Sequence, residues 1–550
     1  MPSEIKALIR ESWGENRRIT GSWDPALAAK CTNGTFVGTQ KDSVLVFRGI
    51  PFACSPTGER RWKKPLPAPE NDGVYEAKYN GRTPIQTEWK TERASYYPQG
   101  EDCLYLNVWT APEGCLEAKA VMVFIHGGSY GWGGTADPLY DGENFVRAHP
   151  EIVLITIGYR VGIMGFVDFS RVPGGEEFPD APNLGIWDQI EALRWIRKNA
   201  AAFGGNPDKV TIFGESAGGG SVSLLPFIPE AKGLFRRVIA ESGSVALTYS
   251  KEECMDFTDR LLRESGAASM QDLMLLSEKE LMDINVKVNF YNNFPQRDGV
   301  LIPDDPYAPY RSGQTADIDM LIGTNADEAN YWVNEVGGFI PFRLGLPIQY
   351  ENNLRRLKPE DRKRAWQYMK LERGYSLWKI SGFFTEVMFR LPAVRQAEEH
   401  SRNGGKVFMY YWKKQSHLPH LRACHAVELS YVFGNVEDTI YTGRPADPSL
   451  SHQVQDQWVR FAETGDPGTE ALPWPAYDAK DRWTMVLGDV SEAVRDPLSQ
   501  QRTVLDPILD YRLNASYAYM SYNVPFVWKT AGKFLLAAAL IALVLFWILR

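Results

Sequence analysis

The stretch VTIFGESAGGGSV, residues 210–222, places the strongest constraint on the fold of this 550-residue chain. Four β-branched or aromatic residues, 210–213, stop at Gly214, and small residues surround the serine at position 216. Such a run favours a strand, and glycine permits a sharp turn after it. The pattern predicts a buried strand, a tight turn that carries Ser216, and a helix of small residues.

Other apolar runs along the chain predict further strands of the same sheet. They lie at residues 120–128, 152–159, 237–243, 317–325 and 406–412. Residues 186–203 instead repeat apolar side chains at helical spacing. Fully apolar strands that alternate with helices are typical of an α/β fold, with a large, mostly parallel central sheet and helices on both faces. The more helical region 245–400 is predicted to pack over this sheet within the same domain.

Composition excludes some classes of protein. The formal net charge of -8 is small for this length and there is no long basic run, which argues against general nucleic-acid binding. None of the six cysteines forms a CxxC pair, so a zinc or redox motif is disfavoured. We expect neither a metal nor an organic cofactor.

The spacing G-x-S-x-G at residues 214–218 is also a chemical signal. A nucleophilic serine on a strained strand-to-helix turn needs small neighbours, and the helix that follows directs amide donors toward developing negative charge. A tight turn with no catalytic role could have the same sequence pattern. Ser216 is therefore a candidate nucleophile whose partners must be found elsewhere in the chain.

A serine hydroxyl needs a base, and the base needs an acid that orients it. In strand–serine–helix enzymes the chain order is serine, acid, histidine. The histidines that follow the serine are His400, His417, His420, His425 and His452. His425 lies between apolar segments near a predicted strand–loop junction, although a packed core histidine would fit this pattern too. His417 and His420 lie in a polar loop and suit the surface.

Two candidates for the acid, Asp327 and Glu328, follow the predicted strand at 317–325. Either carboxylate could orient a histidine. Adjacent acidic residues at a helix start also commonly serve as N-terminal caps. The local pattern alone leaves these alternatives open.

The glycine-rich segment HGGSYGWGG, residues 126–134, follows another predicted strand. A glycine pair in this position can turn backbone N–H groups toward the oxygen of a tetrahedral intermediate. The predicted oxyanion-hole donors are Gly127, Gly128 and Ala217; a plain flexible loop is the alternative. Nearby aromatic residues are candidates for narrowing the site, or for simple packing: Tyr130, Trp132, Phe339 and Phe342.

Together these motifs resemble the type-B carboxylesterase and cholinesterase family of α/β hydrolases, over residues 25–510. The segments that carry the resemblance are FRGIPFA, EDCLYLNVW, HGGSYGWGG, the long run that ends in GESAGG, RDGVLIPDDP, GTNADEA and CHAVELSYVFG. The resemblance implies the α/β-hydrolase fold, with Ser216 as nucleophile, Glu328 as acid and His425 as base. It also implies that Ser242 supports the acid through a hydrogen bond.

The resemblance implies a serine carboxylic-ester hydrolase that acts on a small-molecule ester through an acyl-enzyme intermediate, and we expect that ester to be apolar. An acyltransferase, or a lactonising or cyclising enzyme of a biosynthetic pathway, could use the same triad. A non-catalytic adhesion module of this fold would have lost a triad member and would carry a signal peptide. All three residues are present here, and residues 1–19 contain no apolar signal-peptide core.

The cysteine pattern departs from that of secreted relatives. The expected partner of Cys103 is missing, because residues 83–86 read TPIQ. A second bridge after the nucleophile is also missing, since no cysteine lies between Cys254 and Cys424. The departures predict six free thiols and a reducing compartment.

The C-terminal end predicts a membrane anchor. Residues 534–549 are sixteen uncharged apolar residues between Lys533 and Arg550. As a helix they would span about 24 Å, slightly less than the ~27 Å apolar core of an endoplasmic-reticulum bilayer. We therefore predict an α/β-hydrolase domain over 1–525 in the cytosol. A juxtamembrane segment and a single-pass transmembrane helix would occupy 526–550; a helix docked on the enzyme or on a partner is the alternative.

Overall fold

The predicted apolar runs all become strands in the computed structural model. It describes residues 11–89, 91–112, 118–288, 294–334, 357–374 and 376–511, with isolated positions at 7, 347, 350, 351, 354, 355, 532, 536 and 539–541. The strands of these residues are β1 (Ala28–Cys31), β2 (Gly34–Val37), β3 (Thr39–Lys41), β4 (Val44–Pro51), β5 (Val74–Glu76), β6 (Thr83–Pro84), β7 (Gln99–Gly100), β8 (Tyr105–Thr110), β9 (Lys119–Ile125), β10 (Ile152–Ile157), β11 (Gly205–Glu215), β12 (Arg237–Glu241), β13 (Asp319–Asn325), β14 (Val407–Trp412), β15 (Trp483–Leu487) and β16 (Glu492–Arg495).

The helices follow the predicted alternation with strands. Those of the described residues are α1 (Glu143–Ala148), α2 (Gly162–Gly165), α3 (Leu184–Asn199), α4 (Ala217–Leu224), α5 (Lys251–Ser265), α6 (Met270–Leu275), α7 (Glu278–Val288), α8 (Ala308–Arg311), α9 (Asn330–Asn334), α10 (Pro359–Leu371), α11 (Ser376–Thr385), α12 (Leu391–Arg402), α13 (Leu429–Val432), α14 (Pro448–Thr464) and α15 (Ser499–Leu505). The helix predicted at 186–203 is α3, continued by a 3₁₀ turn at Ala200–Phe203.

Within the described chain, eleven strands pair in one sheet in the order β16, β15, β14, β13, β12, β11, β9, β10, β8, β4, β3. Neighbours from β15 to β10 pair in parallel, whereas β16, β8, β4 and β3 pair antiparallel at the two edges. The prediction of a large, mostly parallel sheet is confirmed.

Both faces of the sheet are covered, as predicted. Along β9, Val121 and Val123 belong to one buried apolar cluster, while Met122 and Phe124 belong to the other. This alternation follows from the two-residue period of a strand. The interior faces of α3 pack into the first cluster and those of α14 into the second.

The parallel order brings the carboxyl ends of several strands to one edge of the sheet. β11 ends just before Ser216, β9 just before His126 and β12 just before Ser242. β13 ends three residues before Glu328. In open α/β sheets, ligands bind at this edge, in crevices outside the strand ends. The fold therefore places the predicted site residues together.

Among the described residues, no helix combines the length and the apolar character needed to cross a membrane. The predicted anchor at 526–550 lies outside the described residues apart from positions 532, 536 and 539–541. The anchor and the domain boundary at 525 stay predictions.

The described cysteines are unpaired: Cys31, Cys54, Cys103, Cys254 and Cys424. The prediction of free thiols is confirmed for these five, whereas Cys115 lies outside the described residues. Burial raises the pKa of Cys31 to about 12 and holds that of Cys103 well above its usual range. Cys54 differs because it is only half-buried, with its Sγ 3.3 Å from the carbonyl oxygen of Pro67.

We therefore expect iodoacetamide to modify Cys54 faster than the four buried thiols in the folded protein. The thiolate is the reactive species, and burial both hides those sulfurs and suppresses their ionisation. Peptide mapping by mass spectrometry after timed alkylation measures the order, with urea-unfolded protein as the control in which all thiols react. Modification of Cys103 as fast as Cys54 would contradict the structure.

Candidate active site

Ser216 lies on the predicted turn, between the end of β11 and the start of α4. Its backbone has φ 58° and ψ −117°, a conformation that non-glycine residues rarely adopt. Such strain costs on the order of 1–3 kcal/mol and persists only where neighbours enforce it. Here the backbone N–H of Ser216 donates to the backbone carbonyl oxygen of Glu241 at 2.9 Å. The backbone carbonyl oxygen of Ser216 accepts from the Gly220 N–H at 2.8 Å.

The glycines of the turn are required by close packing against β9. A Cβ on Gly218 would stand 1.9 Å from the carbonyl oxygen of Ile125, and one on Gly214 would stand 2.6 Å from the same atom. Real Cβ atoms do not approach so closely. The G-x-S-x-G spacing is therefore what lets the serine turn lie directly on the end of the neighbouring strand.

The structure brings Glu328 and His425 together. The Nδ1 of His425 lies 2.6 Å from Glu328 Oε2, and we assign the shared proton to the imidazole nitrogen. The other carboxylate oxygen accepts hydrogen bonds from Ser242 Oγ at 2.6 Å and from the Asn325 N–H at 2.7 Å. The Ser242 bond expected from the family resemblance is confirmed. The carboxylate is held in place from three directions.

Asp327, the alternative acid, makes different contacts. Its carboxylate accepts from the Arg422 guanidinium at 3.3 Å and from the Ala423 N–H at 3.4 Å. Burial raises its pKa, opposed by the charge of Arg422. The two adjacent acidic residues therefore have separate partners, and of the two it is Glu328 that contacts the imidazole of His425 in the described contacts.

Ser216 and His425 line the same cleft. The Nε2 of His425 has no hydrogen-bond partner among the described residues, and Glu215 Oε1 lies 3.1 Å from it. The imidazole ring packs near Trp332 and Phe389, with ring centroids 5.0 and 4.8 Å away. Ring packing thus fixes the orientation of this histidine, and its Nε2 atom faces the cleft without a hydrogen-bond partner among the described residues.

The glycine segment after β9 passes beside the serine. A Cβ on Gly127 would lie 3.1 Å from the Cβ of Ser216. Gly128 has φ 95°, and a Cβ there would stand 2.5 Å from the oxygen of Trp132. Ala217 is the first residue of α4. The backbone hydrogen bonds of the described loops and caps use none of the N–H groups of Gly127, Gly128 and Ala217.

The ring of His126 contacts the backbone of this glycine segment. Its Nδ1 lies 2.9 Å from the Gly127 oxygen, and its ring stacks on Tyr159 at a centroid distance of 4.3 Å. Burial lowers the pKa of His126 to about 4, so the ring is neutral near pH 7. A neutral imidazole that donates from Nδ1 orients the Gly127 peptide without adding charge to the site.

Aromatic side chains form much of the cleft wall: Trp89, Trp132, Tyr140, Tyr331, Trp332 and Tyr441. Of these residues, Trp132 was predicted from the sequence as a candidate for narrowing the site. Tyr130 matches the packing alternative instead, because its ring is buried against Phe166 and Phe294. Phe339 and Phe342 lie outside the described residues. Tyr331 and Trp332 could have been found, since they follow Glu328 within one helical turn; Trp89 carries no such signal.

Three further glutamates are buried: Glu215, which lines the cleft, Glu241 and Glu428. Burial, together with repulsion from neighbouring carboxylates, holds the pKa of Glu215 and of Glu428 well above the usual range. Burial raises the pKa of Glu241 to about 8, although Trp458 Nε1 donates to its Oε1 at 2.7 Å. Burial therefore favours the protonated form of each of these carboxyl groups. No local sequence pattern marks this cluster, because its members lie far apart in the chain.

The chain matches known proteins over most of its length. The model of the carboxylesterase family matches residues 25–505. Para-nitrobenzyl esterase of Bacillus subtilis (strain 168) is 34% identical over 500 residues, which cover 86% of this chain and 97% of that protein. Acetylcholinesterase of Leptinotarsa decemlineata is 31% identical over 523 residues, covering 82% of this chain and 81% of that protein.

A solved structure agrees with the fold as well. The carboxylesterase EST55 of Geobacillus stearothermophilus superposes with a TM-score of 0.79 at 33% identity, covering 87% of this chain and 100% of that one. These matches extend over both the parallel sheet and the strand ends that carry the cleft. The chain therefore belongs to the carboxylesterase family, with an α/β-hydrolase fold, and is an ester-hydrolysing serine hydrolase.

Proposed function

We propose that this enzyme hydrolyses small apolar carboxylic esters through a triad of Ser216, His425 and Glu328. The observation that carries the proposal is the 2.6 Å contact between His425 Nδ1 and Glu328 in the cleft that also holds the strained Ser216. A histidine whose Nδ1–H is held by a carboxylate presents the lone pair of Nε2 as a base.

In the first half of the reaction, Ser216 Oγ attacks the ester carbonyl carbon while His425 Nε2 takes the hydroxyl proton. The tetrahedral intermediate collapses, the C–O bond to the alcohol breaks, and the imidazolium returns its proton to the departing alcohol. In the second half, water attacks the acyl-enzyme with His425 again as base. The acid leaves and the proton returns to Ser216. Glu328 remains ionised and stabilises the imidazolium in both halves.

The carbonyl oxygen becomes negative in both tetrahedral intermediates. The N–H groups of Gly127, Gly128 and Ala217 are the proposed donors to this oxyanion. They are supported by their position beside Ser216 and by the place of Ala217 at the start of α4, where the helix dipole also favours negative charge. Loss of one such donor typically reduces kcat by about 10²–10³-fold.

The protonation of Glu215 matters to the base. Its Oε1 lies 3.1 Å from His425 Nε2. An ionised carboxylate there would favour a protonated Nε2, and a protonated Nε2 cannot accept the serine proton. Because burial holds the pKa of Glu215 well above the usual range, its neutral form leaves the imidazole able to act as a base.

The aromatic wall supports an apolar substrate. A cleft lined by tryptophan and tyrosine rings suits an ester with an apolar acyl or alcohol part. The same triad could pass the acyl group to an alcohol or to an internal nucleophile, but no described contact selects such an acceptor over water. Hydrolysis is therefore the function that we propose.

We further propose that residues 526–550 anchor the enzyme to a membrane, with the esterase domain on the cytosolic side. The proposal rests on the uncharged apolar run 534–549 and on the free thiols of the described cysteines. The endoplasmic reticulum is the proposed membrane. An anchor there would hold the enzyme near apolar esters dissolved in the bilayer.

Replacement of the nucleophile tests the proposed mechanism directly. We expect Ser216→Ala to remove covalent labelling by a fluorophosphonate probe and to reduce kcat by about 10⁴–10⁶-fold. Labelling is read by mass spectrometry, and circular dichroism shows whether the variant folds. An alanine variant that still takes up the probe would exclude Ser216 as the nucleophile.

The adjacent residues Asp327 and Glu328 allow a matched comparison of two amide variants. Glu328→Gln should lower kcat by about 10³–10⁴-fold, because a neutral side chain cannot stabilise the imidazolium. Asp327→Asn, which faces Arg422, should change kcat by less than about tenfold. Steady-state kinetics with a chromogenic ester measures both. A larger loss in Asp327→Asn, with both variants folded, would reassign the acid.

The buried glutamates predict how stability depends on pH. The raised pKa of Glu241 means that the folded protein holds this proton more tightly than the unfolded chain. This contribution to the free energy of unfolding is therefore fully present below about pH 4.5 and is lost as the pH rises to about 8. Glu241→Gln stays neutral and keeps an oxygen for Trp458, so its stability should fall less over this range.

Urea unfolding at several pH values between 5 and 8 measures the difference. The exposed Glu264→Gln is the control and should follow the parent protein. Equal pH dependence in Glu241→Gln and the parent would show that Glu241 titrates normally in the folded protein.

Deletion of residues 530–550 tests the anchor. We expect the deletion to move the enzyme from the membrane pellet to the soluble fraction, while turnover of a soluble test ester is kept. Sedimentation of cell lysates followed by activity assays of both fractions gives the result. Release of the full-length enzyme by alkaline carbonate would contradict a helix that spans the bilayer.

A further inference from the structure

A second cluster of chemically reactive side chains lies far from the cleft along the strand direction. His149 is located between α1 and β10, at the amino end of a parallel strand, whereas Ser216 follows the carboxyl end of β11. His452 and Asp456 are four residues apart on α14 and so share one face of that helix. Their ligand atoms and one imidazole nitrogen of His149 all lie within 4.8 Å of one another.

The backbone holds His149 firmly. Its N–H donates to the Phe145 oxygen at 2.9 Å at the end of α1, and its carbonyl accepts from the Ile152 N–H at 3.2 Å where β10 begins. The side chain is only 6% exposed. This imidazole therefore cannot swing away into solvent.

The ring nitrogens of His149 have different surroundings. Nδ1 lies 3.1 Å from Glu151 Oε1, so we assign a proton to Nδ1, and in the neutral ring Nε2 then carries the lone pair. Nε2 is buried and has no hydrogen-bond partner within the described chain. Its nearest charged atom is Asp456 Oδ1 at 3.7 Å, too long for a hydrogen bond. A buried lone pair that faces a carboxylate is unfavourable unless a cation lies between them.

This arrangement matches the usual surroundings of a metal-binding histidine. Such a histidine typically donates its other ring N–H to a carboxylate, which fixes the ring and makes the coordinating nitrogen more basic. Glu151 supplies that carboxylate here. The pairing is independent of the cluster on α14, and it points to a ligand at Nε2.

The distances fit a small divalent ion after modest side-chain movement. Zinc binds imidazole nitrogen and carboxylate oxygen at about 2.0–2.2 Å, so tetrahedral ligand atoms lie roughly 3.4 Å apart. His149 Nε2 and His452 Nε2 lie 3.7 and 3.9 Å from the two oxygens of Asp456. The side chains of His452 and Asp456 are 64% and 49% exposed, so they have room to rotate toward the fixed His149.

We propose that His149, His452 and Asp456 bind one divalent transition-metal ion, with water completing the coordination. Two imidazoles and one carboxylate suit Zn²⁺ and its neighbours Co²⁺ and Ni²⁺, and not Mg²⁺ or Ca²⁺, which prefer oxygen ligands. The bound ion fastens α14 to the segment that joins α1 to β10. It stabilises the folded protein without taking part in ester hydrolysis.

The test uses full-length protein without an affinity tag, stripped with a chelator and dialysed against ZnCl₂. We expect close to one Zn²⁺ per chain by elemental mass spectrometry, and a higher melting temperature with Zn²⁺ than with Mg²⁺. His452→Ala and Asp456→Asn should each lose the bound zinc and the zinc-dependent rise in melting temperature. Both should keep the kcat of the metal-free parent, since neither residue touches the cleft.

His417→Ala removes an exposed histidine elsewhere on the surface and is the matched control. It should bind zinc like the parent. Zinc binding that survives in both His452→Ala and Asp456→Asn would place the ion at another site and overturn the proposal. A parent protein that binds no zinc, and whose melting temperature does not change, would show that the cluster is only a histidine–carboxylate contact. Either result leaves the proposed triad unaffected, because esterase activity is measured separately.

Discussion

The site depends on one close contact, the packing of the serine turn on the carboxyl end of β9. Gly218 has no side chain where a Cβ would stand 1.9 Å from the Ile125 oxygen, so α4 and β9 meet without a gap. The neighbouring strand β12 then holds the strained serine through the Glu241 oxygen. Nucleophile, glycine segment and acid cluster all lie around this contact, and a bulkier residue there would separate them.

Local patterns were sufficient for the features that depend on near neighbours in the chain. The six apolar runs became strands because their side chains are buried on both faces of the sheet, and the glycines around Ser216 marked the turn that follows β11. Gly127 and Gly128 could be placed for the same reason, since they come directly after β9. Each of these features is encoded within a dozen residues.

Other features depend on segments that are distant in sequence. Asp327 and Glu328 look equivalent locally, and the pairing of Asp327 with Arg422, 95 residues away, separates them in the structure. Trp458 Nε1 donates to Glu241 Oε1 although the two residues are 217 positions apart, and no local pattern near either residue predicts that contact. The family resemblance selected Glu328 because it summarises such long-range pairings, which local spacing does not contain.

The parallel order of the sheet also affects when the site can form during synthesis. The backbone N–H of Ser242 donates to the backbone carbonyl oxygen of Gly323 at 2.9 Å. The hydrogen bonds at the carboxyl end of β12 can therefore form only after β13 has been synthesised. His425 emerges from the ribosome a further hundred residues later. A nascent chain thus contains its serine turn long before it contains the histidine that lines the same cleft. The cleft is therefore complete only when nearly the whole domain has been translated.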